Sequence, residues 1–267
     1  MTRAYLDHNA TAPLRPEARA AMVDALDAVG NASSVHGEGR AARKRIEVAR
    51  ADVAALVGGD PRNVNITGGG TEANVTVLTP EWTLAGRPLG IERLLVSAVE
   101  HVSVLSGGRF PTDRVELMPV DGDGLVRLDA LKEMLAKPGK ALISVMIANN
   151  ETGVIEPVAE VAKLARAAGA LVHADAIQAA GRVPVDIAAL GADVLTLSAH
   201  KIGGPQGAGA IVTAGGALEG LRDRLATIIR ESGAKVTVFG EGAARLPQTL
   251  CFGIERISAE TLVIALD

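Results

Sequence analysis

His173-Ala174-Asp175-Ala176-Ile177-Gln178 and Ser198-Ala199-His200-Lys201 each close a short apolar run, and each run reads as a buried strand. Working outward from them, Ala170 to Ala174, Val194 to Ser198 and Ala208 to Thr213 form a set of strands, with Ala141 to Ala148, Ile91 to Ala98 and Val64 to Thr67 upstream. Helical spacing occupies the stretches between. Pro157 to Ala168 places Val158, Val161, Leu164 and Ala165 on one face, and Gly169 ends it. Leu128 to Leu135 reads as a short helix with Asp129 near its cap. Arg15 to Val29 begins with Pro16 in its first turn, and Gly39 to Val57 repeats Ala42, Ile46, Ala49, Val53 and Leu56 before Gly58-Gly59-Asp60-Pro61 stops it. Strands that are near-continuous apolar runs, alternating with helices, imply an α/β fold. Its central sheet is mainly parallel and covered by helices on both faces. Ligands of such sheets bind at the carboxyl ends of the strands, where Thr71, His101, Asn150, Asp175 and Lys201 all fall in this reading. Beyond Ala214 the character changes: a helix over Leu218 to Arg230 and strand-like Lys235 to Phe239 and Gln248 to Phe252 suggest a smaller α+β domain. We therefore expect a large domain over 14–214 and a small one built from 1–13 and 215–267.

Bulk properties bound the function. With 48% hydrophobic and 22% charged residues, 267 residues suffice for a sizeable core. A net charge of −4 argues against nucleic-acid binding. The one basic run, Arg40 to Arg50, is broken by Glu47 and reads as a wet helix face. No apolar run approaches membrane-spanning length, and the N-terminus lacks a signal-like apolar stretch. A single cysteine fits a reducing cytoplasm. We expect a cytoplasmic protein without nucleic-acid or membrane partners. Cys251, in Leu250-Cys251-Phe252, reads as a small core hydrophobe rather than a nucleophile. His8, His36 and His173 lack metal-ligand spacing, so no metal site is expected.

A lysine leaving one buried strand beside an aspartate ending its neighbour is the pair that pyridoxal 5'-phosphate (PLP) needs. The amine condenses with the cofactor aldehyde, and the carboxylate keeps the pyridine nitrogen protonated so that the ring can act as an electron sink. A carboxylate ending an apolar strand needs a partner, and a pyridinium N–H is one. Ser198 and His200 stand close enough to Lys201 to contact a phosphate. Gly68-Gly69-Gly70-Thr71, between a strand and a helix, offers free N–H groups and a hydroxyl to the same anion, although by itself it reads equally as an ordinary turn. It is no P-loop, for the Lys-Ser/Thr pair is missing. His101 can stack on a flat heterocycle and move protons, or be a plain strand-end histidine. Asn150, in Asn149-Asn150-Glu151-Thr152-Gly153, can hold a ring hydroxyl or a substrate carboxylate, or simply form an Asx turn.

Taken together, Tyr5-Leu-Asp-His-Asn-Ala-Thr-Ala-Pro-Leu14, Asn31-Ala-Ser-Ser-Val-His36, Gly70-Thr-Glu-Ala73, Glu100-His101, Asn149-Asn-Glu-Thr-Gly153, His173-Ala-Asp175 and Ser198-Ala-His-Lys201 resemble the cysteine desulfurases. These belong to the class V aminotransferase superfamily on the PLP fold-type I scaffold. The resemblance runs from Tyr5 to about Thr213, and weakly from Leu221 to Asp267. It implies that Lys201 holds PLP as a Schiff base and moves the substrate Cα proton, and that Asp175 meets the pyridine nitrogen. Gln178 would contact the ring oxygen, His101 stack on the ring as a second catalytic group, and Asn150 lie near ring and substrate. Gly70, Thr71, Ser198 and His200 would complete the phosphate site. The implied reaction takes L-cysteine to L-alanine, with the sulfur carried as an enzyme persulfide toward a sulfur-acceptor or iron–sulfur scaffold protein. A homodimer is implied as well.

Two departures qualify the resemblance. The family's persulfide-forming cysteine lies in a loop after the segment matching Ala259 to Asp267. Between Ala214 and Leu221 the family has a much longer stretch, including a threonine lent to the partner subunit's phosphate site, and its substrate-carboxylate arginine has no counterpart here. We expect this chain to be part of a longer one. The competing readings are another class V enzyme, such as a selenocysteine lyase or an aminotransferase, and a shortened PLP-binding protein unable to transfer sulfur.

Overall fold

The structure, a computed structural model, describes residues 4–84 and 87–214 together with 236–238 and 252–254. In chain order the helices are α1 (Pro16–Leu26), α2 (Gly37–Leu56), α3 (Gly70–Val77), α4 (Val102–Leu105), α5 (Leu128–Leu135), α6 (Val158–Ala167) and α7 (Ile187–Leu190). The strands are β1 (Val64–Thr67), β2 (Thr83–Leu84), β3 (Arg87–Pro88), β4 (Ile91–Ser97), β5 (Val115–Met118), β6 (Lys140–Met146), β7 (Leu171–Asp175), β8 (Val194–Ser198), β9 (Gly209–Thr213), β10 (Val236–Val238) and β11 (Phe252–Ile254). The chain divides into two compact units, 1–80 with 90–214 and 81–89 with 215–267. Residues 4–13, expected in the small domain, belong to the first unit because hydrogen bonds tie 9–15 to 178–203.

The first unit is built on a seven-stranded sheet in the order β1-β9-β8-β7-β6-β4-β5. The pairs β4–β5, β4–β6, β6–β7 and β7–β8 are parallel, as the apolar runs predict, while β8–β9 and β1–β9 are antiparallel. Two antiparallel steps restore the original direction. β1 therefore points the same way as β8, and the glycine loop after Thr67 reaches the same edge of the sheet as Asp175 and Ser198. Gly209, opposite both Thr67 and Ser198, makes this approach possible: a Cβ there would stand 2.6 Å from the Gly69 carbonyl carbon. Gly69 itself has φ of 152°, which an L side chain rarely adopts.

The core lies around β6, β7 and β8, whose side chains are buried almost throughout. Leu131, Val158, Val161 and Ala165 of the amphipathic helices α5 and α6 join this core. Helix α7 is capped by Asp186, whose Oδ1 accepts from the N–H groups of Ala188 and Ala189 at 2.9 Å.

Strand β5 escapes prediction from sequence because it is a four-residue edge carrying a charge in mid-strand. Glu116 there accepts from Arg93 Nε of β4 at 2.7 Å and from Lys137 Nζ at 2.8 Å, which turns a polar position into a link across the sheet. Helices α4 and α7, four residues each, are too short to show a period. In the second unit, β2 pairs antiparallel with β3 and β10 with β11. β11 starts at Phe252, where the strand reading of 248–252 ends, and β10 lies inside the stretch read as Lys235 to Phe239. The helix expected over Leu218 to Arg230, and Cys251 itself, lie outside the described residues.

Candidate active site

At the carboxyl ends of β4, β6, β7 and β8, and beside the N-terminus of α3, lies a cavity of about 550 Å³. Every site residue named from sequence lines it: Gly70, Thr71, His101, Asn150, Asp175, Gln178, Ser198, His200 and Lys201. They come from loops far apart in the chain, and the parallel strands bring them to one edge.

Asp175, the last residue of β7, is 4% exposed. Its Oδ1 accepts the Ile177 N–H at 2.8 Å and its Oδ2 accepts Asn74 Nδ2 at 2.8 Å. Burial raises its pKa above the ordinary aspartate value, and these two donors, with the nearby His101 and Lys201, pull the other way. Lys201 follows β8 in a turn of 3-10 helix, and its Nζ donates to the carbonyls of Asn9 and Ala10. Burial lowers its pKa from the ordinary lysine value, and the Arg182 guanidinium adds to that effect. The shift favours the neutral amine, the form that attacks a carbonyl.

His101 caps α4, its Nδ1 accepting the Ser103 N–H at 3.2 Å and lying 2.8 Å from Ser103 Oγ. Asn149 and Asn150 divide the two readings of their motif. Asn149 builds the Asx turn, its Oδ1 accepting from the N–H groups of Glu151 and Thr152 at 2.9 Å, and it ties that turn to the Val99 carbonyl. Asn150 faces the cavity. His200 is pushed below the ordinary histidine pKa, by burial first and then by the charge of Lys201.

The cavity residues fit PLP. The Ser198 hydroxyl is buried with no hydrogen-bond partner among the described residues, and it lies beside Gly70 and Thr71 at the start of α3. A helix start supplies N–H groups without intrahelical acceptors, and an orphaned hydroxyl next to them suits a phosphate. Across the cavity, Asp175 can receive a pyridine N–H and Lys201 can meet an aldehyde. Among the described residues, no group of three or more His, Cys, Asp or Glu is placed to hold a metal ion.

Sequence reasoning missed the frame around these residues. Arg182 donates to Gln178 Oε1 at 2.6 Å, to Asn9 Oδ1 at 2.8 Å and to the His8 carbonyl at 2.9 Å. In doing so it fastens the N-terminal segment over the lysine. Asn74 was legible in principle. The buried face of α3 is Gly70, Ala73, Asn74 and Val77, a helical row of small apolar residues with one amide in it, and a buried amide requires partners.

The sequence model of the Aminotransferase class-V family matches residues 4–227. A cysteine desulfurase of Cereibacter sphaeroides is 38% identical over 315 aligned positions, covering all of this chain and 80% of that protein. The alignment is longer than the chain, so the relative holds sequence inside the matched span that this chain lacks. An IscS-like cysteine desulfurase of Mycobacterium tuberculosis is 41% identical over 78% of this chain and 55% of its own length, so the match spans about half of that relative. Among solved structures, a NifS-like protein from Rickettsia africae superposes with a TM-score of 0.69 at 29% identity, over 97% of this chain and 84% of that one. The mixed, mostly parallel sheet with its flanking helices is thus the PLP fold-type I scaffold. Motifs, topology and relatives agree that the chain belongs to the class-V aminotransferase family, among the cysteine desulfurases.

Proposed function

We propose that the protein binds PLP in this cavity and converts L-cysteine to L-alanine, passing the sulfur on as an enzyme persulfide for iron–sulfur cluster or thio-cofactor synthesis. One observation carries the reading: Lys201, Asp175 and the orphaned Ser198 hydroxyl line a single cavity in a chain of this family. When bound, PLP supplies an electron sink for bonds around the substrate Cα.

The protein's own groups then have distinct tasks. Lys201 carries the cofactor, and its pKa, lowered by burial, favours the neutral amine that can take and return the Cα proton. Asp175 holds the pyridine N–H. Gly70, Thr71, Ser198 and His200 hold the phosphate, Gln178 the ring oxygen, and His101 the ring face. Asn150 is set to orient ring and substrate, and the N-terminal segment fastened by Arg182 lines the cavity beside Lys201 through Asn9 and Ala10.

The reading extends to a cytoplasmic homodimer with a sulfur-acceptor or scaffold protein as partner. Support for the dimer comes from α1, which buries none of its residues, and from exposed Val23, Leu26, Val29, Val35 and Val48 on and around α1 and α2. Residues 215–267 are assigned to the small domain.

The test is product analysis. Protein reconstituted with PLP is given L-cysteine and a reductant, and alanine with sulfide is expected. A keto acid without sulfide would replace desulfuration with transamination, and bound cofactor without turnover would leave only a binding protein. Lys201→Ala should remove the borohydride-reducible cofactor linkage.

A further inference from the structure

Behind Asp175 a row of buried polar side chains crosses four elements of the fold. Ser144 Oγ on β6 lies 2.8 Å from His173 Nδ1 on β7, and His173 Nε2 lies 2.9 Å from Thr196 Oγ1 on β8. Thr196 Oγ1 donates to Asn74 Oδ1 on α3 at 2.6 Å. The Asn74 amide then spends its two hydrogens on Asp175 Oδ2 at 2.8 Å and Ser103 Oγ at 3.0 Å. Ser144, His173, Thr196 and Asn74 are each fully shielded from solvent.

The direction of every bond follows from its end. Asp175 accepts at both oxygens, from the Ile177 N–H and from the Asn74 amide, so the Asn74 nitrogen faces Asp175 and its oxygen faces Thr196. The single Thr196 proton is thereby committed to Asn74, so Thr196 can only accept from His173. His173 therefore carries its proton on Nε2, and Nδ1 accepts the Ser144 hydroxyl proton. Burial pushes the His173 pKa down to about 3, so the ring is neutral and holds one proton to place. The side branch obeys the same logic: Ser103 accepts from Asn74 and gives its own proton to His101 Nδ1.

We propose that Ser144, His173, Thr196 and Asn74 form a one-way chain of hydrogen-bond donors ending on Asp175, in which Thr196 and Asn74 are positioning residues for the carboxylate that receives the cofactor nitrogen. The last clause rests on the PLP reading above; the direction of the chain does not. Thr196 decides which way the Asn74 amide points. Without its hydroxyl, Asn74 Oδ1 and His173 Nε2–H lose their partners and the amide is free to turn. A turned amide sets oxygen against the carboxylate and leaves Asp175 with the Ile177 N–H alone.

Two measurements test this. Cofactor-stripped protein is titrated with PLP and followed by absorbance. Thr196→Val, checked for folding by circular dichroism, should bind about tenfold more weakly than wild type, and Thr196→Ser should restore the affinity. A folded Thr196→Val that binds like wild type overturns the positioning role. Failure of wild type itself to bind PLP would instead defeat the proposed function. Should Thr196→Val not fold, the imidazole nitrogen spectrum of wild-type protein decides. Protonated Nε2 and bare Nδ1 on His173 support the chain, and the opposite tautomer reverses it and refutes the proposal.

Discussion

In β6, β7 and β8 nearly every side chain is buried, with Lys140 and Leu171 only partly so, whereas α1 buries none of its 11 residues and α2 buries Gly39 and Ala54 of its 20. Both regions are rich in apolar residues. The strands meet their partners inside the chain: Leu142, Ile143 and Leu195 are wholly enclosed. On the two helices Val23, Leu26, Ile46 and Val48 face outward. The contrast separates apolar residues enclosed by the fold from apolar residues left exposed on α1 and α2, and hydrophobicity alone does not tell them apart.

That contrast can be pressed from its strong side first. Leu142→Ala should cost about 2–5 kcal/mol, since a fully buried leucine leaves a cavity that surrounding strands cannot close; chemical denaturation measures it, and a loss below about 1 kcal/mol would show a more plastic centre than this packing allows. Acid comes next. His173 is depressed from 6.5 to about 3, so the unfolded chain binds the proton that the folded one refuses. Stability from this group is therefore full above about pH 6.5 and is lost as pH falls toward 3, with a slope of up to about 1.4 kcal/mol per pH unit. Urea midpoints across that range should slope less steeply in His173→Gln. Glu100, raised well above 4.5 by burial, works in the opposite sense, its contribution fading as pH rises through its folded value, so the comparison between the two proteins isolates the histidine.

On the exposed side, the double variant Val23→Ser with Leu26→Ser should change the stability of the chain by only about 0.5 kcal/mol. On the proposed homodimer it should nevertheless shift sedimentation from dimer to monomer. A wild-type protein that sediments as a monomer at all concentrations would remove the second surface from the comparison. A comparably small effect on stability is expected at the sheet edge, where Glu116→Gln should cost about 0.5–1 kcal/mol. The Arg93 hydrogen bond, more than Lys137, keeps the Glu116 pKa low. That contribution is present above the ordinary glutamate value and disappears as pH falls through the folded value, so wild type and variant should converge in acid.

Much of this was legible from the residues. The runs ending at Ser97, Asp175 and Ser198 announce strands because they are largely apolar and buried almost throughout, the mark of strands covered on both faces. The motifs at their ends name the chemistry, and all nine expected site residues line one cavity. What stayed hidden has a common cause. Strand β5 depends on an ion pair to β4, and the placement of residues 4–13 depends on Arg182, far along the chain. Neither leaves a periodic trace. Asn149 and Asn150 show the same limit at the scale of one residue, since nothing local tells which makes the turn and which faces the cavity.

The sequence by itself determined the family, the alternation of strands and helices, and the residues that meet the cofactor in the proposed reaction. These are encoded in neighbours along the chain: period, caps, and motifs a few residues long. Only the tertiary structure decided that two antiparallel steps turn the glycine loop to the lysine edge, and that Asn74 joins Thr196 to Asp175. Those relations are between groups distant in sequence, and the energy of a buried hydrogen bond depends on where the partner ends up in space.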